Sequence, residues 1–318
     1  MTKLSLPRLG YGAANVGNLY RALSDDEAAE VLEVAWDCGI RYFDTAPHYG
    51  LGLSERRLGA FLATKPRDEF VISTKVGRLL RPNPVGVGTT DLDNDFVVPG
   101  DTRREWDFSR DGIRRSLDES LGRLGLDRVD VLFLHDPERH DLCAGLDTAI
   151  PALAGLRDEG AVTAVGVGSM STDALLASVS TGALDLLMVA GRLTLADQPA
   201  LAEVVPECRR LGVGIVNASV FNSGLLATDD PGSTARFDYG GVSAELLERV
   251  RAIAVTCREF GVDLPTAALH YASRDGSVAS VVVASSRPAQ VRENAARVAG
   301  AVPEGLWPEL VARGLIPA

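Results

Sequence analysis

An α/β chain closed into a (β/α)8 barrel is the fold this sequence predicts, and three observations predict it. Short β-type runs alternate with longer helical patterns from end to end, giving about eight strand–helix units. No linker-like break in composition interrupts them, so residues 1–318 read as one domain. The strands are near-continuous apolar runs, as expected of parallel strands buried on both faces. A doubly wound sheet is the alternative, and it requires a phosphate-binding first turn.

Asp25 to Cys38 reads as a helix, with Ser24 as N-cap and Gly39 just past its end. The strand Ile40–Phe43, the helix Ser54–Ala63 and the strand Phe70–Thr74 follow. Gly77 to Asp107 is polar and without period. About 30 irregular residues inside a compact domain are mostly functional, and this stretch reads as a lid loop after strand 3 of the barrel. Its aromatic cluster, Trp106-Asp107-Phe108, either covers a ligand or anchors the loop on the rim. The helix Ser109–Leu124 leads to the strand Val129–Leu134, and a helix near Asp147–Asp158 to the strand Val162–Val167. The helix Thr172–Thr181 precedes the strand Leu184–Val189, and the helix Pro199–Leu211 precedes the strand Val213–Val216. Helices Ser243–Phe260 and Pro265–Ala272, the strand Val278–Val283, a helix Pro288–Val298 and a Pro-bounded tail close the chain.

Composition narrows the function classes. Lys and Arg number 32 against 43 Asp and Glu, a net charge of −11, which lacks the basic footprint of a nucleic-acid binder. The longest apolar run, Ala174 to Gly191, is cut by Asp185 and cannot span a bilayer. The opening Met1-Thr2-Lys3-Leu4-Ser5-Leu6-Pro7 carries no signal-peptide core, so a cytoplasmic location is expected. Cys38, Cys143, Cys208 and Cys257 are far apart and form no C-x-x-C pair. Three of them fall in helical patterns, where a small buried side chain is the ordinary role.

Asp44, Lys75 and His135 each directly follow a strand. In a barrel the carboxyl ends of the strands open on one face, so these three converge on one mouth. Tyr49, in the loop after Asp44, can reach the same place. Any one of them could simply solvate a strand end; the set together suits proton transfer at a carbonyl oxygen. A Lys ammonium beside the Tyr favours the phenolate, and moving a phenol from about 10 to near 7 takes about 4 kcal/mol. Asp44 compensates the buried ammonium, and His135 can orient the reacting oxygen as a donor. No nucleophile is evident, so the proton's counterpart is expected to be a nicotinamide hydride.

Rival motifs fail. Gly10-Tyr11-Gly12 is followed by Asn15 where a dinucleotide fingerprint needs glycine, and Gly166-Val167-Gly168 by Ser171. Walker A and G-x-S-x-G patterns are missing. His135-Asp136-Pro137-Glu138-Arg139-His140 offers two imidazoles and two carboxylates, but Pro137 breaks any helix and no metal is expected there.

At Asp44-Thr45-Ala46-Pro47-His48-Tyr49-Gly50, continued by Ser54-Glu55-Arg56-Arg57-Leu58-Gly59, the sequence resembles the aldo-keto reductase superfamily. Ser73-Thr74-Lys75-Val76-Gly77 and Leu134-His135-Asp136-Pro137 match its other two signature regions. The resemblance implies the same barrel and a catalytic tetrad of Asp44, Tyr49, Lys75 and His135. Tyr49 would be the general acid/base, Lys75 and Asp44 its tuners, and His135 the orienting donor. Trp106 to Gly112, Ala190-Gly191-Arg192 and Phe221-Asn222-Ser223-Gly224 resemble the sugar dehydrogenase branch, which includes L-fucose (D-threo-aldose), L-galactose and pyridoxal 4-dehydrogenases. Such enzymes oxidise a cyclic hemiacetal hydroxyl to a lactone.

The resemblance also implies NAD or NADP as cofactor. Its contacts carry over to Gly12, Ala13, Ala14, Asp44, Ser169 and Arg192. The pyrophosphate falls to the loop after strand seven, Phe221, Asn222, Ser223, Gly224 and Leu225. The adenosine end falls to Ala284, Ser285, Ser286, Arg287, Gln290, Glu293 and Asn294. Cations that grip the 2′-phosphate of NADP are replaced at Ala284 and Gln290, so NAD is expected, with Arg287 the one possible substitute. The usual carboxamide partners read Met170 and Met188, leaving Arg192 to supply that contact. His48, Trp106, His135 and Asn222 are expected to line the substrate pocket. The function expected is an NAD(P)-dependent oxidoreductase acting on a sugar hemiacetal or small aldehyde. Its alternatives are an NADPH-dependent aldehyde or ketone reductase and a non-catalytic nucleotide-sensing subunit. Oligomeric state is not legible.

Overall fold

The computed structural model describes residues 4–232, 235–238 and 240–318; Met1, Thr2 and Lys3, part of the leader reading above, lie outside them. Eight parallel strands close a barrel in the order β1-β12-β9-β8-β7-β6-β3-β2. They are β1 (Leu9–Gly12), β2 (Tyr42–Asp44), β3 (Val71–Val76), β6 (Val131–His135), β7 (Ala164–Ser169), β8 (Leu186–Ala190), β9 (Gly214–Ala218) and β12 (Val278–Ala284). Pairing of β1 with β12 shuts the cylinder. Between them lie two short antiparallel pairs, β4 (Arg78–Pro82) with β5 (Thr102–Trp106) and β10 (Arg236–Phe237) with β11 (Gly240–Gly241).

Two layers of core hold it. Tyr42, Val131, Phe133, Met188, Val216 and Val282 fill the barrel interior, and a larger cluster joins the strands' outer faces to the helices. Helix starts follow their caps. Ser24 accepts from the Glu27 amide while the Glu27 carboxylate accepts from the Ser24 amide, a complete capping box. Ser109, Ser171, Ser243 and Asp263 cap their helices in the same sense.

The structure departs from the expected elements at five places. The strand β1 was not assigned from sequence: it has four residues, two of them glycine. Gly10 is needed there, because a Cβ would sit 2.6 Å from the Tyr42 ring. The stretch Gly77–Asp107 is only partly irregular: its ends pair as β4 and β5, in register from Arg78↔Trp106 to Pro82↔Thr102, and residues 83–101 between them form a long excursion of turns and short 3-10 segments. The helix near Asp147 begins as a π-turn, Gly145–Ala149, before Ile150–Asp158. The helix read from Pro199 is a 3-10 turn, Pro199–Leu201, and then Val204–Leu211, and a further helix, Leu306–Ala312, occupies the tail.

Helix Leu53–Leu62 crosses helix Arg110–Leu124 at Gly59, where a Cβ would lie 2.1 Å from the Leu124 carbonyl oxygen. Backbone, unlike a side-chain tip, cannot move aside. Gly59→Ala should therefore lower stability by about 1–3 kcal/mol, read as a shifted midpoint in urea unfolding, despite alanine's better helix propensity.

Candidate active site

Side chains on a strand alternate between its faces. Tyr42 and Asp44, Ser73 and Lys75, and Phe133 and His135 are each two residues apart on β2, β3 and β6, so each pair shares a face. Asp44 aligns with Ser73 across β2–β3. The second member of each pair, Asp44, Lys75 or His135, lies at or next to the carboxyl end of its strand.

The structure brings Asp44, Tyr49, Lys75 and His135 together. Lys75 Nζ donates to Asp44 Oδ2 at 2.6 Å, to the Thr45 carbonyl at 3.0 Å and to Tyr49 Oη at 3.1 Å. Ser73 donates to the other oxygen of Asp44 at 2.7 Å, and the Tyr42 hydroxyl lies 2.9 Å from Ser73 Oγ. Behind them, Ser54 Oγ donates to the Ala13 carbonyl and lies 2.8 Å from Thr45 Oγ1. Buried Glu55 accepts from Thr74 and Arg123. The His135 ring stands edge-on to Tyr49 at 5.9 Å between centroids, and His48 meets both rings at 5.5 and 6.1 Å. Phe96, from the turn of the hairpin, packs on His48 and Tyr49.

Electrostatics depart from one expectation. Burial pushes the Tyr49 phenol above its usual value; Lys75 pulls it down, Asp44 pushes it up, and the net direction is upward. The expected descent towards 7 does not occur in the protein alone, because desolvating a phenolate outweighs one nearby ammonium that Asp44 already neutralises. Burial would lower Lys75, but Asp44 and Tyr49 more than compensate and hold it protonated. Burial, with Arg78 and Lys75 adding positive charge nearby, holds His135 well below its ordinary value, and His48 likewise. Both imidazoles are therefore neutral near pH 7.

With this geometry established, comparison with known proteins is decisive. Residues 8–304 match the profile of the Aldo/keto reductase family. The chain belongs to this family. It is 61% identical to a D-threo-aldose 1-dehydrogenase from a Pseudomonas species, over 99% of this chain and 96% of that protein. A pyridoxal 4-dehydrogenase from Microbacterium luteolum is 36% identical, over 99% and 96%. A glycerol dehydrogenase from Gluconobacter oxydans, 21% identical, shares the fold with a TM-score of 0.76 over 98% of this chain and 94% of its own. An aldo/keto reductase is an oxidoreductase, and its redox partner is a nicotinamide dinucleotide.

The far side of the mouth fits such a group. The loop after β9 bends through left-handed residues, Ser219, Asn222, Ser223 and Gly224. Asn222 donates to the Gly191 carbonyl, and its Oδ1 is buried without a partner. Leu225 is buried beneath the loop and Phe221 packs on the helices behind it. The Ser285 carbonyl accepts from Tyr11, and its hydroxyl accepts from buried Asn294. Helix Pro288–Ala299 follows β12, and no side chain caps its start, which leaves its first amides open to an anion. Ala284, Arg287, Gln290 and Glu293 are exposed there. Arg21, which the sequence did not single out, donates to the Ser286 carbonyl. Gly12 ends β1, and the Ala13 amide donates to the Asp44 carbonyl. Ala14 opens the turn that follows.

Arg192 does not stand free for a carboxamide. It donates to the Met170 carbonyl, Asp238 and Asp197. Ser169 donates to Glu138, and Met188 points into the barrel beside Gly168. Of the expected pocket residues, His48 adjoins the tetrad, whereas Asn222 lies across the mouth. Trp106 stacks on His140 and under Arg78. The sequence also missed Arg78, Ser73 and Phe96. Ser73 was reachable, since it shares the face of Lys75 at two-residue spacing. Among the described residues no three His, Cys, Asp or Glu side chains group to hold a metal, and no helix is long and apolar enough to cross a membrane.

Proposed function

We propose that this chain is a cytoplasmic, NAD-preferring aldose 1-dehydrogenase that oxidises the anomeric hydroxyl of a cyclic sugar to its lactone. The observation that carries the chemistry is the Lys75 ammonium shared between Asp44 and the Tyr49 phenol. Identity of 61% to a D-threo-aldose 1-dehydrogenase supports the substrate class. The bound nicotinamide supplies the hydride acceptor. Tyr49 removes the hydroxyl proton as the C1–H electron pair leaves and the C1–O double bond forms. Lys75 stabilises the phenolate, and Asp44 keeps that ammonium from being buried alone. His135 donates to the same oxygen from a neutral ring, with His48 as the neighbouring wall. NAD is favoured because Ala284 and Gln290 carry no charge for a 2′-phosphate. Widely spaced free cysteines suit a reducing compartment.

A second reading, reduction of an aldehyde, draws on the raised Tyr49 phenol, since a protonated phenol is the acid that direction needs. Initial rates across aldoses and simple aldehydes with both cofactors decide between them. The dehydrogenase reading requires the highest kcat/KM for an aldose with NAD. It fails if aldehydes are reduced with NADPH and no aldose is oxidised.

Tyr49→Phe should lower kcat/KM by about 1,000-fold while leaving NAD affinity, read by fluorescence titration, within about twofold. Oxidation uses the phenolate, so with a raised phenol kcat/KM for the sugar should climb between about pH 7 and pH 10. Reduction uses the phenol and should stay flat over that range. Gln290→Arg should raise NADP affinity relative to NAD by about tenfold, by the same titration.

A further inference from the structure

Asp136 follows His135 directly and sits where it could capture it. Its Oδ2 lies 3.7 Å from His135 Nε2. The backbone turns left-handed at Asp136, φ 43 and ψ 61, as the chain leaves β6, and the Asp136 amide donates to the Gly168 carbonyl on β7. The carboxylate is thereby fixed beside the imidazole. Yet it is engaged elsewhere: Arg78 Nη2 donates to the same Oδ2 at 2.6 Å. Arg78 is buried, and its guanidinium lies 4.4 Å over the Trp106 ring, the residue opposite it in the β4–β5 register.

We propose that Arg78 is a positioning residue: by holding Asp136 in an ion pair, it leaves the Nε2 of His135 free for the substrate oxygen. The proposal rests on the role given above to His135. Besides Arg78, the basic side-chain nitrogens within 4.0 Å of that carboxylate, among the described residues, are His135 Nε2 and, at 4.0 Å, Arg139 Nη1. Arg139 is 63% exposed and already solvated, so the imidazole is the partner that gains. A His–Asp hydrogen bond diverts the donor from the substrate and favours the imidazolium. The charges and titratable groups facing His135 are Asp44 on β2, Tyr49 and His48 after it, and Lys75 on β3. Arg78 on β4, with Asp136 and Arg139 beyond β6, completes them. Removing Arg78 takes away a cation and releases an anion, and both changes push His135 towards its charged form.

The test uses Arg78→Met and the double variant Arg78→Met/Asp136→Asn, in which no carboxylate remains to compete. The chain has four histidines, so carbon-13 imidazole signals can be followed by NMR, with His135→Gln identifying the relevant one. The expected result is a His135 that titrates well below the ordinary imidazole range in the parent and shifts clearly upward in Arg78→Met. In the double variant it should again titrate low. In parallel, kcat/KM of Arg78→Met should fall about 100-fold at about pH 6.5, mostly in kcat, with the loss shrinking towards about pH 9. The double variant should recover at least about tenfold. Should Arg78→Met fail to fold, Arg78→Gln gives the same readouts. A His135 titration that does not shift upward in the folded single variant, or a folded double variant with no recovery, overturns the proposal. Full turnover by His135→Gln would instead refute the role of His135, and the titration would still report on Arg78 and Asp136.

Discussion

A buried ammonium is the constraint on which this site depends. Lys75 is 2% exposed and Asp44 3%, and removing such charges from water costs several kcal/mol each unless every hydrogen bond is replaced. An ammonium has three donors. The site provides three acceptors, Asp44 Oδ2, the Thr45 carbonyl and Tyr49 Oη. Tyr49 is thus part of the solvation shell of Lys75, and its position follows from a need of the lysine. The barrel around it keeps that shell rigid: Ser73 fixes Asp44, and the pair Ser54 and Thr45 fixes the turn that presents the carbonyl.

Barrel order divides the mouth in two. The strands β2, β3 and β6 are neighbours and, with the loop that follows β2, carry Asp44, Tyr49, Lys75 and His135, whereas β7, β8, β9 and β12 form the opposite arc. The charges on that arc are paired with one another, Arg192 with Asp238 and Asp197. Beside them stand the left-handed turn after β9 and the helix after β12, whose start no side chain caps. Left-handed non-glycine residues are strained and persist where surrounding structure overdetermines them. Here they gather at the mouth, at Asp136, Ser219, Asn222 and Ser223.

Much of this was readable in advance, and the exceptions have physical causes. Capping serines and apolar strand runs announced the alternation, and Asp44, Lys75 and His135 could be placed from the ends of those runs, although each lies inside its strand rather than just past it. Strand β1 escaped because Gly10 and Gly12 are there for close packing, which erases the apolar signature. The phenol's direction of shift escaped because residue types reveal a neighbouring lysine but not the completeness of burial. Arg192 looked available because nothing in its local sequence announces Asp238, 46 positions away, as its partner.

The hairpin is the most instructive miss. In β5, Thr102, Arg104 and Trp106 turn inward while Arg103 and Glu105 face solvent, so the period-two pattern is intact. It is invisible to hydropathy because the inward residues include arginines. Arg104 donates to both oxygens of Asp91 and to the His48 carbonyl, and Arg78 to Asp136. Phe96, on the same excursion, packs on Tyr49 and His48. Swinging this segment away would strand Arg78 and Asp136 without each other, release the loop that carries Tyr49, and strip its aromatic neighbour. Desolvated ion pairs of this kind are costly to break singly. The paired base of this excursion therefore anchors Arg78 and Phe96 beside the tetrad, while residues 83–101 beyond it are held by turns.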